Sequence, residues 1–244
     1  MAGNVSLRLL VVAGTAAERD LWRLGAAQAS VPLTLLEAPG GPAALQLVHK
    51  GGIDIVLLDS TLPDASVLIA TARALKPAPF IVMAQPPGTE RPRGVDGAVA
   101  KPKDVEGARA ELERCVRAKV PARVLVIDDS STMRSIVKKI LAGSRYAMEV
   151  EEAEEGIAAL SQLRNGRFDV VFVDYNMPGL NGFETLKEIK REHPRIAVVM
   201  ITSTQDTTLA DRAQQSGAAA FLKKPFYPAD IDAVLERHYG LLAT

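Results

Sequence analysis

The residues best suited to chemistry in this sequence are three carboxylates, one hydroxyl and one lysine in its second half. Each lies at or just beyond the end of a short apolar run. Three carboxylates in one pocket would repel one another without a hard cation, and carboxylates with main-chain carbonyls and waters suit Mg²⁺. A cation, a lysine and a hydroxyl around one carboxylate form a cradle for the oxygens of a transferring phosphoryl group. The five residues are Asp128, Asp129, Asp174, Thr202 and Lys224.

Asp174 is the central candidate for a nucleophile, because a carboxylate can carry phosphate as an acyl phosphate. The apolar runs before the five residues lack polar alternation, which is typical of strands buried on both faces of a parallel sheet. The carboxyl ends of such strands meet at one edge of the sheet, where ligands bind in open α/β folds. The runs span residues 124–127, 170–173, 198–201 and 218–222.

Residues 123–243 resemble a response-regulator receiver domain, close to the single-domain chemotaxis type. Four stretches carry this resemblance, and they occur in the order that the family has. The stretches are Val-Ile-Asp-Asp-Ser-Ser-Thr-Met-Arg at 126–134, Val-Asp-Tyr-Asn-Met-Pro-Gly-Leu-Asn-Gly at 173–182, Met-Ile-Thr-Ser at 200–203 and Phe-Leu-Lys-Lys-Pro-Phe at 221–226.

The resemblance implies the role of each residue at the predicted site. Asp174 would accept a phosphoryl group from a histidine kinase or a histidine phosphotransfer protein, with Lys224 as a fixed positive charge. Mg²⁺ would be held by Asp129, Asp174 and the main-chain carbonyl of Asn176, while Asp128 would act mostly through water. Such a protein dephosphorylates itself slowly, so we expect a phosphoprotein rather than a dedicated enzyme.

The resemblance also implies a conformational switch. Thr202 and Phe221 would be its two residues, and Thr202 would also assist the phosphoryl transfer. Phosphorylation would then change the surface formed by a predicted helix at 206–216, a strand at 218–222 and a helix at 228–239. We expect an unknown downstream protein to read this surface.

The first half of the sequence repeats the second. Residues 54–63 align with residues 169–178 at an offset of 115, and Lys101 aligns with Lys224 at an offset of 123. The first copy is therefore shorter by 123 − 115 = 8 residues between these points. Much of this loss is expected at 85–94, where three prolines and two glycines argue against a helix.

The first copy departs from the second at the residues that matter for chemistry. It has Ala13 and Gly14 in place of the acidic pair, and Ala84 or Gln85, depending on the gap, in place of the threonine. Asp59 is retained in place of the predicted nucleophile, but two small neutral residues cannot supply carboxylates for Mg²⁺. We therefore predict a degenerate receiver, and weak residual phosphorylation of Asp59 is the alternative.

The predicted fold class is α/β, with two flavodoxin-like, doubly wound, parallel five-stranded sheets. Strands alternate with helices through both copies, which specifies a parallel sheet covered on both faces. The strand order 2-1-3-4-5 is implied by the resemblance. We predict a degenerate receiver domain at 1–120 and a phosphorylatable receiver domain at 121–244.

Composition narrows the class of protein further. The 244 residues exceed the usual single domain of roughly 100 to 150 residues. Equal numbers of basic and acidic residues, 29 of each, give no net field for nucleic acid or an anionic membrane, so we expect neither partner. The single cysteine, Cys115, excludes an intrachain disulfide, and no signal segment or long apolar run is found. We therefore expect a cytoplasmic protein.

The expected function is that of a two-component response regulator whose output is a contact with another protein. Few residues follow the last predicted helix, so we expect no appended output domain. The first copy would be an interaction or dimerisation platform, with a homodimer as one arrangement. Two alternatives stay open: a phosphorelay intermediate or phosphate sink, and a truncated two-receiver regulatory part of a diguanylate cyclase.

Overall fold

The computed structural model of the protein describes residues 6–204 and 208–242. The chain forms two compact units, one of Met1–Lys119 with Tyr239–Thr244 and one of Val120–His238. In the described part of the chain, no helix combines the length and the apolar character that crossing a membrane requires.

The first unit alternates strands with helices from its start. Its first helix begins with a capping box, in which the Thr15 side chain accepts from the Glu18 N–H and the Glu18 carboxylate accepts from the Thr15 N–H. Three residues, 13–15, separate the end of the first strand from the start of this helix. The elements are β1 (Leu7–Val12), α1 (Ala16–Ala26), β2 (Leu33–Ala38), α2 (Gly41–His49), β3 (Ile55–Asp59), α3 (Ala65–Ala74), β4 (Phe80–Gln85), β5 (Gly97–Ala100) and α4 (Val105–Lys119).

The second unit has the same alternation with one more helix among its described residues. Ser130 and Asn181 cap two of its helices through their side-chain oxygens, so each helix starts directly after a strand-end loop. The elements are β6 (Ala122–Ile127), α5 (Ser131–Ala142), β7 (Met148–Ala153), α6 (Gly156–Asn165), β8 (Val170–Asp174), α7 (Gly182–Glu192), β9 (Ala197–Thr202), α8 (Thr208–Gln215), β10 (Ala220–Lys223) and α9 (Pro228–Tyr239).

Both sheets are five-stranded and parallel throughout. The first has the order β2-β1-β3-β4-β5, and the second has β10-β9-β8-β6-β7, which is the same order read from the other edge. The α/β fold class and the strand order 2-1-3-4-5 are therefore confirmed. The central strands β3 and β8 are buried at every position, as the continuous apolar runs predicted.

The strands extend slightly further than the apolar runs indicated. Asp59, Asp174 and Thr202 are the last residues of β3, β8 and β9, so main-chain pairing directly supports each of them. The helix predicted at 206–216 corresponds to α8, and its residues 206 and 207 lie outside the described part of the chain.

The connection between β4 and β5 differs from the connection between β9 and β10. Residues 86–96 contain turns and no helix, which confirms the prediction made from their prolines and glycines. Ile81 and Met83 of β4 nevertheless stay buried, in a cluster that includes Ile69 of α3 and Val95 of the connection. The first unit therefore presents a loop where the second presents α8, and this loop helps to cover the sheet.

Candidate functional site

The carboxyl ends of β6, β8, β9 and β10 bring five residues to one edge of the second sheet. Ile127 pairs with Val173, so the residues that follow each of them are neighbours across the sheet. The Lys224 N–H donates to the Thr202 carbonyl oxygen at 2.8 Å, which places the lysine beside the end of β9. This is the edge where open α/β folds bind ligands. We call the group the acidic pocket: Asp128, Asp129, Asp174, Thr202 and Lys224.

Lys224 joins two buried carboxylates in this pocket. Its Nζ lies 2.6 Å from Asp174 Oδ1 and 3.2 Å from Asp128 Oδ2. The two aspartates are only 5% and 4% exposed, respectively. Buried charges are costly unless they are paired and hydrogen-bonded. One ammonium group shared by two carboxylates leaves a surplus negative charge among the three, which favours a further cation.

Burial and charge shift the pKa values of this cluster. Burial raises the pKa of Asp174 and the Asp128 carboxylate adds to the rise, while Lys224 and the Asn176 N–H oppose it without cancelling it. Burial would lower the pKa of Lys224, but its bonds to Asp174 and Asp128 outweigh burial and raise this pKa. The Asp174 carboxylate thus has less positive charge nearby than its buried position requires.

Main-chain N–H groups orient two of the polar side chains. The Asn176 N–H donates to Asp174 Oδ2 at 2.9 Å. The Thr202 side chain is fully buried, and its Oγ1 accepts from the Thr204 N–H at 3.1 Å. Because a hydroxyl also carries one donor hydrogen, Thr202 can still donate to an oxygen of a ligand.

The donor set of the acidic pocket fits Mg²⁺. Asp129 and Asn176 are exposed on the loops that follow β6 and β8. Mg²⁺ is usually bound by one or two carboxylates and keeps several waters, and the Asp129 and Asp174 carboxylates with the Asn176 carbonyl offer oxygens of this kind. Within residues 6–204 and 208–242, no three or more side chains of His, Cys, Asp or Glu are grouped so that they could hold a metal ion by themselves. Carbonyl and water ligands would therefore be needed.

Phe221 lies in β10, before the lysine of the acidic pocket. It pairs with Met200 of β9 in the register of the sheet. Its side chain is partly buried and packs against a core cluster that contains Met200 and Ala213. The structure thus places this residue in contact with the core of the second unit.

Gly182 supports the site, and this role was not predicted from the sequence. Gly182 begins α7, and its N–H donates to the Tyr175 carbonyl oxygen at 3.1 Å. A Cβ at this position would overlap the Asp174 carbonyl oxygen and would lie 2.8 Å from Tyr175 Cα. Glycine alone fits such a close approach of two backbones. The available signal was a glycine directly after Asn181, the capping residue.

The first unit keeps an aspartate and a lysine at the corresponding strand ends, but the hydrogen bonds around these two residues differ from those in the acidic pocket. Lys101 Nζ lies 2.7 Å from both oxygens of Asp59. Thr61 donates to Asp59 Oδ1 from its N–H at 2.7 Å and from its hydroxyl at 2.6 Å. Burial raises the pKa of Asp59, but the bonds from Lys101 and Thr61 outweigh burial and lower this pKa below its ordinary value. We call Asp59, Thr61 and Lys101 the repeat pocket.

Strand pairing identifies the residue of the first unit that replaces the buried threonine. Asp59 pairs with Ala84, and the corresponding pair in the second unit is Asp174 with Ile201. The next residue along β4 is Gln85, which therefore takes the place of Thr202. Of the two residues that the sequence left open, the structure selects the glutamine.

Two further features separate the repeat pocket from the acidic pocket. Gln85 is 1% exposed, and its Nε2 donates to the Thr89 carbonyl oxygen at 2.6 Å, which ties β4 to the loop that follows it. Ala13 and Gly14 follow β1, where the acidic pair follows β6. These replacements bring neither a hydroxyl nor a carboxylate to the edge of the first sheet.

Comparisons with known proteins concern the second unit most directly. The profile of the response regulator receiver domain family matches residues 124–236. Chemotaxis protein CheY-3 of Vibrio cholerae is 37% identical over 122 residues, which cover 49% of this chain and 93% of that protein. The DNA-binding transcriptional regulator NtrC of Escherichia coli is 36% identical over 119 residues, which cover 48% of this chain and 25% of NtrC.

Solved structures also match across most of the chain. Two structures of two-component system response regulator/GGDEF domain proteins cover 98% of this chain and 100% of their own chains. Their TM-scores are 0.53 and 0.52, with sequence identities of 22% and 21%. At this level of identity the likeness is one of fold.

Proposed function

The chain belongs to the response regulator receiver domain family, and from this membership we propose that it is a two-component signalling protein phosphorylated on Asp174. The donor would be a histidine kinase or a histidine phosphotransfer protein. The observation that carries the proposal is the contact of Lys224 with both Asp174 and Asp128 at the strand ends. This contact puts a candidate nucleophile, a second carboxylate and a fixed cation in one place.

The proposed transfer needs little from the protein beyond positioning and charge. An oxygen of Asp174 forms a bond to phosphorus while the phosphorus–nitrogen bond of the donor phosphohistidine breaks, and the imidazole keeps the electron pair of that bond. Lys224, 2.6 Å from Asp174, compensates negative charge beside the reacting group. Thr202 can donate its hydroxyl hydrogen to a phosphoryl oxygen.

Mg²⁺ is part of this proposal. Asp129, Asp174 and the main-chain carbonyl of Asn176 would hold the ion, and Asp128 would act through water. The support is the hard oxygen character of these donors together with the surplus negative charge of the acidic pocket. When bound, Mg²⁺ supplies the positive charge that lets an anionic phosphoryl group approach two buried carboxylates.

We assign the switch to Thr202 and Phe221. On phosphorylation, the Thr202 hydroxyl would turn toward the phosphoryl group, and the partly buried Phe221 would move further into the core. These shifts would alter the surface of α8, β10 and α9, which a downstream protein would read. Couplings of this kind typically amount to about 1–3 kcal/mol, which is enough for a biased two-state equilibrium.

We assign different roles to the two domains: the domain at 1–120 would be a pseudo-receiver that serves as an interaction or dimerisation platform, and the domain at 121–244 would be the one that is phosphorylated. Two observations support this role. The charge of the Asp59 carboxylate is already stabilised by Lys101 and Thr61, and the loop 86–96 replaces a helix. Sedimentation of the full chain with and without acetyl phosphate measures homodimerisation. A monomer in both states would remove the dimerisation role.

Receiver domains are phosphate-accepting regulators rather than dedicated enzymes, and we propose the same for this chain. A role as phosphorelay intermediate uses the same Asp174 and differs only in the destination of the phosphate. Timing the return of phosphate to a phosphotransfer histidine distinguishes the two.

The proposal includes a cytoplasmic location and no nucleic-acid or membrane partner. Cell fractionation tests the location, and electrophoretic mobility shift and vesicle sedimentation assays test the partners.

Phosphorylation by a small donor tests the assignment. Labelled acetyl phosphate with Mg²⁺ is expected to label the unaltered chain and Asp59→Asn equally, whereas Asp174→Asn stays unlabelled. The two variants remove the same group from corresponding strand ends, so each controls for the other. Label that survives Asp174→Asn and is lost in Asp59→Asn would overturn the proposal.

A further inference from the structure

Arg134 is a buried cation beside the acidic pocket that the proposed chemistry does not use. It lies on α5 and is only 7% exposed, although arginine is almost never buried unless it is paired. Its guanidinium donates to Asp128 O at 2.8 Å, to Glu152 Oε2 at 2.9 Å and to Glu154 Oε1 at 3.3 Å. A planar guanidinium holds its donors in fixed directions, so these three acceptors together determine its orientation.

The bond to the Asp128 carbonyl oxygen acts on the peptide that links Asp128 to Asp129. A peptide group is planar, so holding its oxygen also fixes the direction in which the next residue starts. The loop is fastened from its other side as well, because the Ser130 N–H donates to Asp128 Oδ1 at 2.9 Å and the Arg134 N–H donates to the Ser130 carbonyl at 3.0 Å. Asp129 is itself exposed, so its position depends on this backbone more than on side-chain packing.

The first unit contains the same contact without the acidic pair. Arg19 corresponds to Arg134 at the offset 134 − 19 = 115, and its Nη1 donates to Ala13 O at 2.6 Å and to Gly14 O at 3.3 Å. An arginine thus fastens the loop after the first strand of each sheet, whether or not carboxylates follow that strand. Only in the second unit does this loop carry a candidate metal ligand, so Arg19 is a matched control.

We propose that Arg134 is a positioning residue that sets the Mg²⁺ affinity of the acidic pocket by fixing the peptide between Asp128 and Asp129. The inference rests on the proposed function, because it takes Asp129 as a ligand of the ion. Removing residues that orient metal ligands typically weakens binding about 10- to 100-fold. Arg134 holds the main chain next to a ligand, so we expect the lower end of this range.

Calorimetric titration of the full chain with Mg²⁺, without a phosphate donor, measures this affinity directly. Arg134→Met is expected to weaken binding about tenfold. Arg134→Lys should weaken it by a smaller factor that is still resolved, because lysine keeps the charge and lacks the planar fork. Arg19→Met should leave the affinity unchanged. Urea unfolding of each variant, followed by circular dichroism, separates loss of affinity from loss of fold.

The outcomes separate this inference from the function it rests on. Unchanged affinity in a folded Arg134→Met chain, or equal weakening in Arg19→Met, overturns the positioning role alone. If Arg134→Met does not fold, Arg134→Lys takes its place, and unchanged affinity in that variant overturns the role. No Mg²⁺ binding by the unaltered chain, or unchanged binding in Asp129→Asn, overturns the metal assignment of the proposed function and the inference with it.

Discussion

Replacing Lys101 by methionine tests how the repeat pocket satisfies its buried aspartate. The Lys101 ammonium lies 2.7 Å from both oxygens of Asp59, which is 5% exposed. Methionine keeps an unbranched side chain of similar length and removes the charge. In Lys101→Met the Asp59 carboxylate therefore keeps only the two hydrogen bonds from Thr61.

The expected cost follows from the charge-assisted bond that is lost. Removing one partner of a fully buried ion pair costs about 3–5 kcal/mol, and a hydrogen bond to a charged group contributes about 1.5–3 kcal/mol. The Lys101 side chain is 29% exposed, so water screens part of the attraction and the lower range applies. We expect Lys101→Met to lower the free energy of unfolding of the first unit by about 2 kcal/mol at neutral pH.

The destabilisation caused by Lys101→Met should also change with pH in a definite direction. In the unaltered chain burial opposes the Asp59 charge, but Lys101 and Thr61 outweigh burial, so the folded pKa is below the unfolded one. The stabilisation is therefore present above the unfolded pKa of about 3.9 and is lost as the pH falls through the folded pKa. Removing Lys101 takes away both its hydrogen bond and its charge, so the folded pKa of Asp59 should rise relative to that of the unaltered chain. The destabilisation of Lys101→Met should then be largest near pH 7 and should shrink as the pH falls through this raised pKa.

The single tryptophan of the chain makes the assay specific to the first unit. Trp22 lies in α1 and is 3% exposed, so urea unfolding followed by its fluorescence reports on this unit. Asp59→Asn and the double variant complete a cycle that isolates the coupling of the pair. An unchanged free energy of unfolding in Lys101→Met at pH 7, or a loss that grows on acidification, would show that Lys101 does not stabilise the charged form of Asp59.

Three further predictions concern single residues in or near the two pockets. Gly182→Ala should lower the free energy of unfolding by about 1–3 kcal/mol in urea curves followed by circular dichroism. Gly14→Ala should not, because a Cβ at Gly14 meets no heavy atom of the described residues within 4 Å. Gln85→Ala should speed amide hydrogen exchange in the loop 86–96, and equal exchange in both proteins would contradict the anchoring role of the glutamine. Thr202→Val should still accept phosphate on Asp174 from acetyl phosphate but lose the phosphorylation-dependent change in amide exchange of α8; a retained change would count against the switch.

Much of the fold could be predicted because its signals are local. The continuous apolar runs before Asp128 and Asp174 indicated strands buried on both faces, and these runs form β6 and β8, which pair in parallel. The prolines and glycines of 86–96 indicated the missing helix for an equally local reason, since proline removes a backbone donor and restricts φ. The strand order came only from the family resemblance, because nothing in the apolar pattern fixes which strands are neighbours.

The details of the two pockets depend on pairings that the sequence does not encode locally. Gln85 could be assigned to the place of the threonine only from strand register. The negative charge of Asp59 is stabilised partly by Thr61, whose hydroxyl donates to the Asp59 carboxylate across a turn. Arg134 follows the acidic pair closely in the sequence. Its hydrogen bond to the Asp128 carbonyl oxygen could not be predicted, because it depends on where α5 lies relative to the end of β6. Gly182 matters because two backbones approach closely in three dimensions.

Direct mapping of the phosphorylated residue tests whether this chain carries one phosphorylation switch and one silent copy. Borohydride reduction converts an aspartyl phosphate to homoserine, and peptide mass spectrometry then locates the change. After treatment of the full chain with acetyl phosphate and Mg²⁺, we expect homoserine at position 174 and unmodified aspartate at position 59. Homoserine at position 59, or an unmodified position 174, would show that the two copies do not divide their roles in this way.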